Sequence, residues 1–193
     1  MEIFFQIQAF QWALALYGIS AVLSIVASWQ LSDGDRVANR IAHFGALIAS
    51  MLLVFFAAGV FIVGQGQVVS FAVPFPGVDF SFRIDGLSAF FIGLIGFIAM
   101  MASLFGVNYQ KQFIGKCALG SFGFFYNLFL LGMVLAVSAN QALFFLFSWE
   151  LMSLASYFLV MFDRTEVRNI RAGFLYLLMT QLGTLFVAIA LLL

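Results

Sequence analysis

The sequence predicts an all-α polytopic membrane protein, with about six transmembrane helices and a short extracytoplasmic β-hairpin between the second and third. Three observations predict it. Apolar residues make up 65 % of the 193 and charged residues only 8 %, against roughly 45–50 % and about 25 % in a soluble domain. Six apolar stretches approach the roughly twenty residues that a helix needs to cross a hydrocarbon core of about 30 Å. The basic residues fall almost entirely into alternate connections between those stretches.

The first stretch, Phe10–Leu31, carries Trp12 and Trp29, about 26 Å apart along a helix, which suits anchoring at the two membrane interfaces. Acidic Glu2 and the lack of a basic segment before it argue against a cleaved secretory signal. The second stretch is Ile41–Gly64, with His43 near its polar start, where an interfacial imidazole is expected. A long connection follows. Within it Val78, Phe80, Phe82 and Ile84 alternate with Asp79, Ser81, Arg83 and Asp85, the period of a half-buried strand. "PFPG" supplies a turn, and Val69, Phe71 and Val73 precede it, so a β-hairpin on the membrane surface is expected. Both prolines, Pro74 and Pro76, lie in this connection, which leaves every predicted helix unbroken by proline. The remaining stretches are Leu87–Val107, Ala118–Ser138, Gln141–Phe162 and Ala172–Leu193. Cys117, at the start of the fourth, is expected to be inert. The cluster Asp163, Arg164, Glu166, Arg168 and Arg171 reads as a solvated loop or a subunit contact. Residues 1–193 form a single membrane domain.

The odd connections hold Arg36, Arg40, Lys111, Lys116, Arg164, Arg168 and Arg171; only Arg83 lies elsewhere. By the positive-inside tendency the odd loops face the cytoplasm, and the N-terminus and hairpin lie outside. Net charge is zero, and no basic face exists that would neutralise a run of phosphates, so nucleic acid is not an expected partner. One cysteine and one histidine cannot build a disulfide framework, a zinc site or an iron–sulfur cluster. The chain is therefore expected to bind no metal or cofactor, with any electron chemistry on other subunits.

Against this background Glu150 stands out as a carboxylate well inside a span. Counted from Gln141 it lies about 14 Å into its helix, near the midplane. An acid there costs about 2.5–3.5 kcal/mol on insertion scales, and such residues face a bundle interior or a wet cavity. Burial disfavours a charged carboxylate and a nearby cation favours it, so an acid whose cation approaches and withdraws can load and release a proton. The competing reading is a structural pair that fixes one helix against another. Ser153 and Tyr157, at i+3 and i+7, share the acid's helical face and are candidates for a proton path. Tyr176, Thr180 and Thr184 recur every four residues in the sixth stretch, with Gln181 nearby. They form a polar stripe that serves helix packing or extends that path.

The segment "FSWELMSLASYFLV", with its midplane Glu150, and "RIDGLSAFF", which opens the third stretch, resemble the antiporter-like membrane subunits. That family comprises the proton-translocating chains of respiratory complex I, the Mrp cation/proton antiporters, and the membrane components of energy-converting hydrogenases and formate hydrogenlyase. The wording W-E-L-M-S-L-x-S is most similar to the hydrogenase-4 component B branch. The resemblance implies a proton- or sodium-translocating membrane subunit of a redox-driven complex in a bacterial or archaeal inner membrane. Its partners would be other membrane subunits and a peripheral redox module that holds the redox centres. It implies that Glu150 is the ion-transfer residue, interacting in relatives with a lysine on a broken seventh helix. "TQLGTLF" holds Gln181 and Thr184 where the L-type chains of complex I carry an arginine and an aspartate, which favours the hydrogenase-type or M-type branch. Family members have about fourteen helices, so the chain is expected to be the N-terminal portion of a longer, C-terminally truncated subunit. Alternatives are an Mrp-type antiporter subunit and a structural anchor for a redox module.

Overall fold

The computed structural model describes residues 2–63, 67–71, 80–163 and 167–192, with side chains for 7–62, 81–163 and 167–191. Six long apolar helices dominate it: α1 (Glu2–Gln30), α2 (Gly34–Val63), α3 (Gly86–Tyr109), α4 (Leu119–Ser138), α5 (Ala142–Val160) and α6 (Val167–Leu192). Each is long and apolar enough to cross a membrane. A 3₁₀ turn, Gln110–Phe113, extends α3.

Small residues let the first helices approach closely. Ala38, Ala42, Ala46 and Ala49 form a fully buried stripe along α2, at the spacing that brings membrane helices together. Around them Phe10, Tyr17, Leu53, Phe56, Ile92, Val134 and Phe144 make one continuous core. Helix α1 packs on both α2 and α4, α2 on α3, and α4 on α5, whereas α6 touches mainly α5. The buried hydroxyls mostly bond back to carbonyls of their own helix: Ser50 to Ala46, Ser138 to Val134 and Ser148 to Phe144. That satisfies them where no water can.

Between α2 and α3, the backbone of β1 (Gln67–Phe71) pairs antiparallel with β2 (Phe80–Ile84), Val69 opposite Phe82. The turn expected at Pro74 and Pro76, with Val73, Val78 and Asp79, lies outside the described residues. Strand β2 is seated on the helices: the Phe82 ring lies edge-on to Phe10 and Phe144, at 5.7 and 5.2 Å. Asn140, between α4 and α5, donates its backbone N–H to the Ser81 carbonyl and its side-chain amide to the Ser81 hydroxyl, both at 3.0 Å. The two even connections are thus fastened together at one end of the bundle.

The odd connections meet at the other end. Asp35 accepts the Leu119 N–H at 3.2 Å and the Ser28 hydroxyl at 2.9 Å, and Phe113 and Phe162 pack edge-on at 5.7 Å. Cys117 sits among them; partial burial pushes its thiol up, with the Asp163 carboxylate adding to the effect, and a thiol held protonated is a poor nucleophile. Of the charged cluster that follows, Arg164 and Glu166 lie outside the described residues.

Helix α3 starts at the motif aspartate. Asp85 is its N-cap, with an extended backbone and a side chain that accepts the Ser88 N–H at 2.9 Å, satisfying one of the donors left open at a helix start. The Ser88 backbone and hydroxyl hold the exposed Asp85 carboxyl below its ordinary value of 3.8. A depressed value means that the cap's contribution is fully present above the ordinary value and is lost as pH falls through the folded one. Asp85→Asn keeps an acceptor and is expected to abolish the acid-induced fraying of this turn. The check is amide hydrogen exchange at Ser88 across the acid range, and identical profiles for the two proteins would refute the assignment.

Candidate functional site

Glu150 lies on α5, eight residues beyond Ala142, about 12 Å into the helix. Close contact between α4 and α5 sets its position. A Cβ on Gly132 would stand 2.9 Å from the Met152 backbone nitrogen and 3.0 Å from its Cα, so only glycine admits the neighbouring backbone two residues from the acid.

The half-buried Glu150 points toward α6. Its Oε2 accepts the side-chain amide of Gln181 at 2.9 Å. Ser153 bonds the Glu150 carbonyl at 3.1 Å and reaches Oε2 only at 3.5 Å, the far limit of a hydrogen bond. Among the described residues no lysine or arginine pairs with Glu150. A second link joins the same two helices: the Ser156 and Tyr176 hydroxyls lie 2.6 Å apart. Positions 150 with 181 and 156 with 176 follow the register of an antiparallel pair.

The residues singled out from the sequence therefore separate. Gln181 and, weakly, Ser153 join Glu150. Tyr176 reaches α5 one and a half turns away, through Ser156. The Tyr157 ring packs edge-on to Phe158 at 5.1 Å and bonds nothing in the acid's first coordination. Thr180 and Thr184 donate to the carbonyls of Leu177 and Thr180 on their own helix, both at 3.0 Å, the usual behaviour of hydroxyls on membrane helices. Gln181→Leu is expected to lower the stability of the complete protein by about 1 kcal/mol, the scale of interhelical side-chain bonds in membranes. Thermal unfolding in detergent measures it, and an unchanged midpoint would mean that the bond holds nothing.

His43 is enclosed by the helices: α2 begins at Gly34, so the imidazole stands about 14 Å along it. It is 2 % exposed, against the rings of Tyr126 and Phe122 at 5.2 and 6.4 Å and beneath Gly106, where a Cβ would collide with it. Among the described residues neither ring nitrogen makes a hydrogen bond of standard geometry, and only the Gln110 side chain acts on the imidazole; the side-chain oxygens of Asn39 and Asn127 are also without a partner there. A Ser103–Tyr126 bond of 2.9 Å borders this group. The sequence signal was the i, i+4 spacing of Asn39 and His43, which a hydropathy window hides.

Comparison with known proteins places these features. Residues 138–193, which include Glu150 and Gln181, match the family model described as NADH:quinone oxidoreductase/Mrp antiporter, transmembrane. Hydrogenase-4 component B of Escherichia coli is 32 % identical over 187 residues, which is 97 % of this chain and 27 % of that protein. NADH-quinone oxidoreductase subunit L of Buchnera aphidicola is 30 % identical over 112 residues, 58 % of this chain and 18 % of the relative. The chain thus spans about a quarter or less of the length of these curated relatives. Among solved structures, a chain of the membrane-bound sulfane sulfur reductase, an archaeal respiratory membrane complex, superposes with a TM-score of 0.72 at 17 % identity, over 93 % of this chain and 35 % of that one.

Proposed function

Because the chain belongs to the antiporter-like membrane subunits, we propose that it is part of an ion-translocating subunit of a redox-driven membrane complex, of hydrogenase-4 or NADH-quinone oxidoreductase type, in which Glu150 carries the ion. The observation that carries this reading is the pairing of a half-buried, mid-helix carboxylate with a neutral amide, Gln181. A guanidinium there would hold the acid charged. A carboxamide serves both states, since its N–H₂ donates to a carboxylate and its oxygen accepts from a carboxylic acid. Glu150 can therefore exchange a proton without losing its helix contact. The charge that drives the exchange belongs to segments beyond these six helices, in keeping with the lysine that the family resemblance implies.

In this reading the end that carries Arg36, Arg40, Lys111 and Lys116 faces the cytoplasm, and the β1–β2 pair forms a hairpin outside. The membrane is the inner membrane of a bacterium or archaeon. The redox centres sit on a peripheral module and the ion is a proton or sodium. Moving each charge against 100 mV takes about 2.3 kcal/mol, which the partner's redox step must supply. The test uses inverted membrane vesicles that contain the complete complex, with a fluorescent pH probe and sodium uptake read side by side. Addition of the electron donor is expected to drive ion uptake that an uncoupler collapses. Electron transfer without ion uptake would overturn the proposal in favour of a membrane anchor. Exchange of sodium for protons without any donor would instead mark an Mrp-type antiporter.

A further inference from the structure

At the end where the odd connections meet, an open cavity of about 390 Å³ lies between α2 and the end of α3, lined by Arg36, Asn39, Arg40, Lys111 and Ile114. Three of these five are cations and none is an acid. The nearby Asp35 is turned to Ser28 and Leu119, and among the described residues no carboxylate forms an ion pair with the three. Lys111 is held only by the Asn108 side-chain oxygen, at 2.7 Å. Asn39 is 2 % exposed and is held on α3, its amide nitrogen donating to the Val107 carbonyl at 3.0 Å. The cavity therefore offers three anion-binding groups.

What continues from the cavity identifies the ligand. Arg36, Arg40, Phe44, Ile48, Met51 and Phe55 are all exposed and recur every three or four residues, so they form one outward stripe along α2. The stripe is cationic for its first turns and apolar thereafter. This order of charge and then grease, at the end of two spans, is the profile of a single lipid molecule. A free phosphate would use the cations and leave the rest of the stripe idle.

We propose that this face binds an anionic glycerophospholipid. The phosphate lies on Arg36, Arg40 and Lys111, and the acyl chains run along Phe44 and Ile48. Basic pockets between membrane helices recognise anionic headgroups in this way. The site stands apart from Glu150 and does not depend on its role.

The experiment is native mass spectrometry of the complete protein, delipidated in detergent and titrated with dioleoyl-phosphatidylglycerol, dioleoyl-phosphatidylcholine or inorganic phosphate. Wild type is expected to retain phosphatidylglycerol at least about tenfold better than phosphatidylcholine. In R36Q/R40Q/K111Q the preference is expected to fall to within about twofold. Since fewer basic residues can also disturb insertion, R36K/R40K serves as the charge-preserving variant. It is expected to lose about threefold, because an ammonium lacks the two-pronged contact of a guanidinium. Equal retention of the two lipids by wild type, or wild-type affinity for phosphatidylglycerol in both variants, would overturn the proposal. So would displacement of phosphatidylglycerol by inorganic phosphate, which would mark a site for a free anion.

Discussion

Glu150→Gln, made in the complete complex, is expected to leave assembly intact and to lower donor-driven ion transfer by at least about a hundredfold, the lower end of what a positioned proton-transfer group contributes. The substitution is nearly isosteric. A glutamine at 150 still accepts from the Gln181 amide, now at 2.9 Å from Glu150 Oε2, so the bond between α5 and α6 survives. What disappears is the ability to change charge. The pair of readouts separates the two roles open to the acid. If the residue merely fastens one helix to another, the variant complex stays fully coupled. If it carries the ion, electron transfer slows or runs uncoupled while the subunits remain together. Glu150→Leu is the companion variant: it strands the Gln181 amide as well, and should therefore cost stability that the glutamine variant does not.

The second large effect is expected at Gly132. Its close neighbours on α5 are the backbone nitrogen and Cα of Met152, and backbone cannot step aside as a flexible side chain does. Gly132→Leu must part α4 from α5. Overpacking of this kind costs typically about 1–3 kcal/mol, and here it also displaces Glu150, two residues from the contact. A lower unfolding midpoint together with reduced ion transfer is the expected outcome, measured on the same purified protein. Gly183→Ala is the control. A Cβ at Gly183 meets nothing within 4 Å, so the variant should match or slightly exceed the wild-type midpoint, given the better helix propensity of alanine. Equal behaviour of the two variants would show that the α4–α5 contact is not tight.

How much of this was legible in the sequence depends on whether a property belongs to one helix or to two. Hydropathy locates all six spans, because a long apolar run has few other uses. It misplaces the start of α2, because Arg36, Asn39, Arg40 and His43 lower the local average. In the helix they divide between an exposed stripe and a buried one. The same averaging hides that His43 is buried. At the candidate site Glu150 is conspicuous by chemistry alone, and a polar stripe on the sixth span is visible as a four-residue period. Which member of that stripe meets the acid is not visible, since it depends on the rotation and register of α5 against α6. Thr180 and Thr184 keep the period yet spend their hydroxyls on their own backbone, whereas Gln181, one position off it, makes the contact. Ser156, the partner of Tyr176, was passed over because a serine in an apolar run usually bonds at home.

The helix contacts also divide the bundle into two parts. Helix α1 finds α2 and then α4, and α2 finds α3, with the Ser24 hydroxyl reaching the Gly120 carbonyl at 3.3 Å to join the first helix to the fourth. Four spans thus pack on one another without the segment that bears the acid. Lipid tails are as apolar as the leucines they touch, so the greasy outer face of α6 can lie in the bilayer without penalty. The costly carboxylate therefore stands outside that four-helix group, on a helix that docks against α4, and its partner Gln181 comes from the last helix.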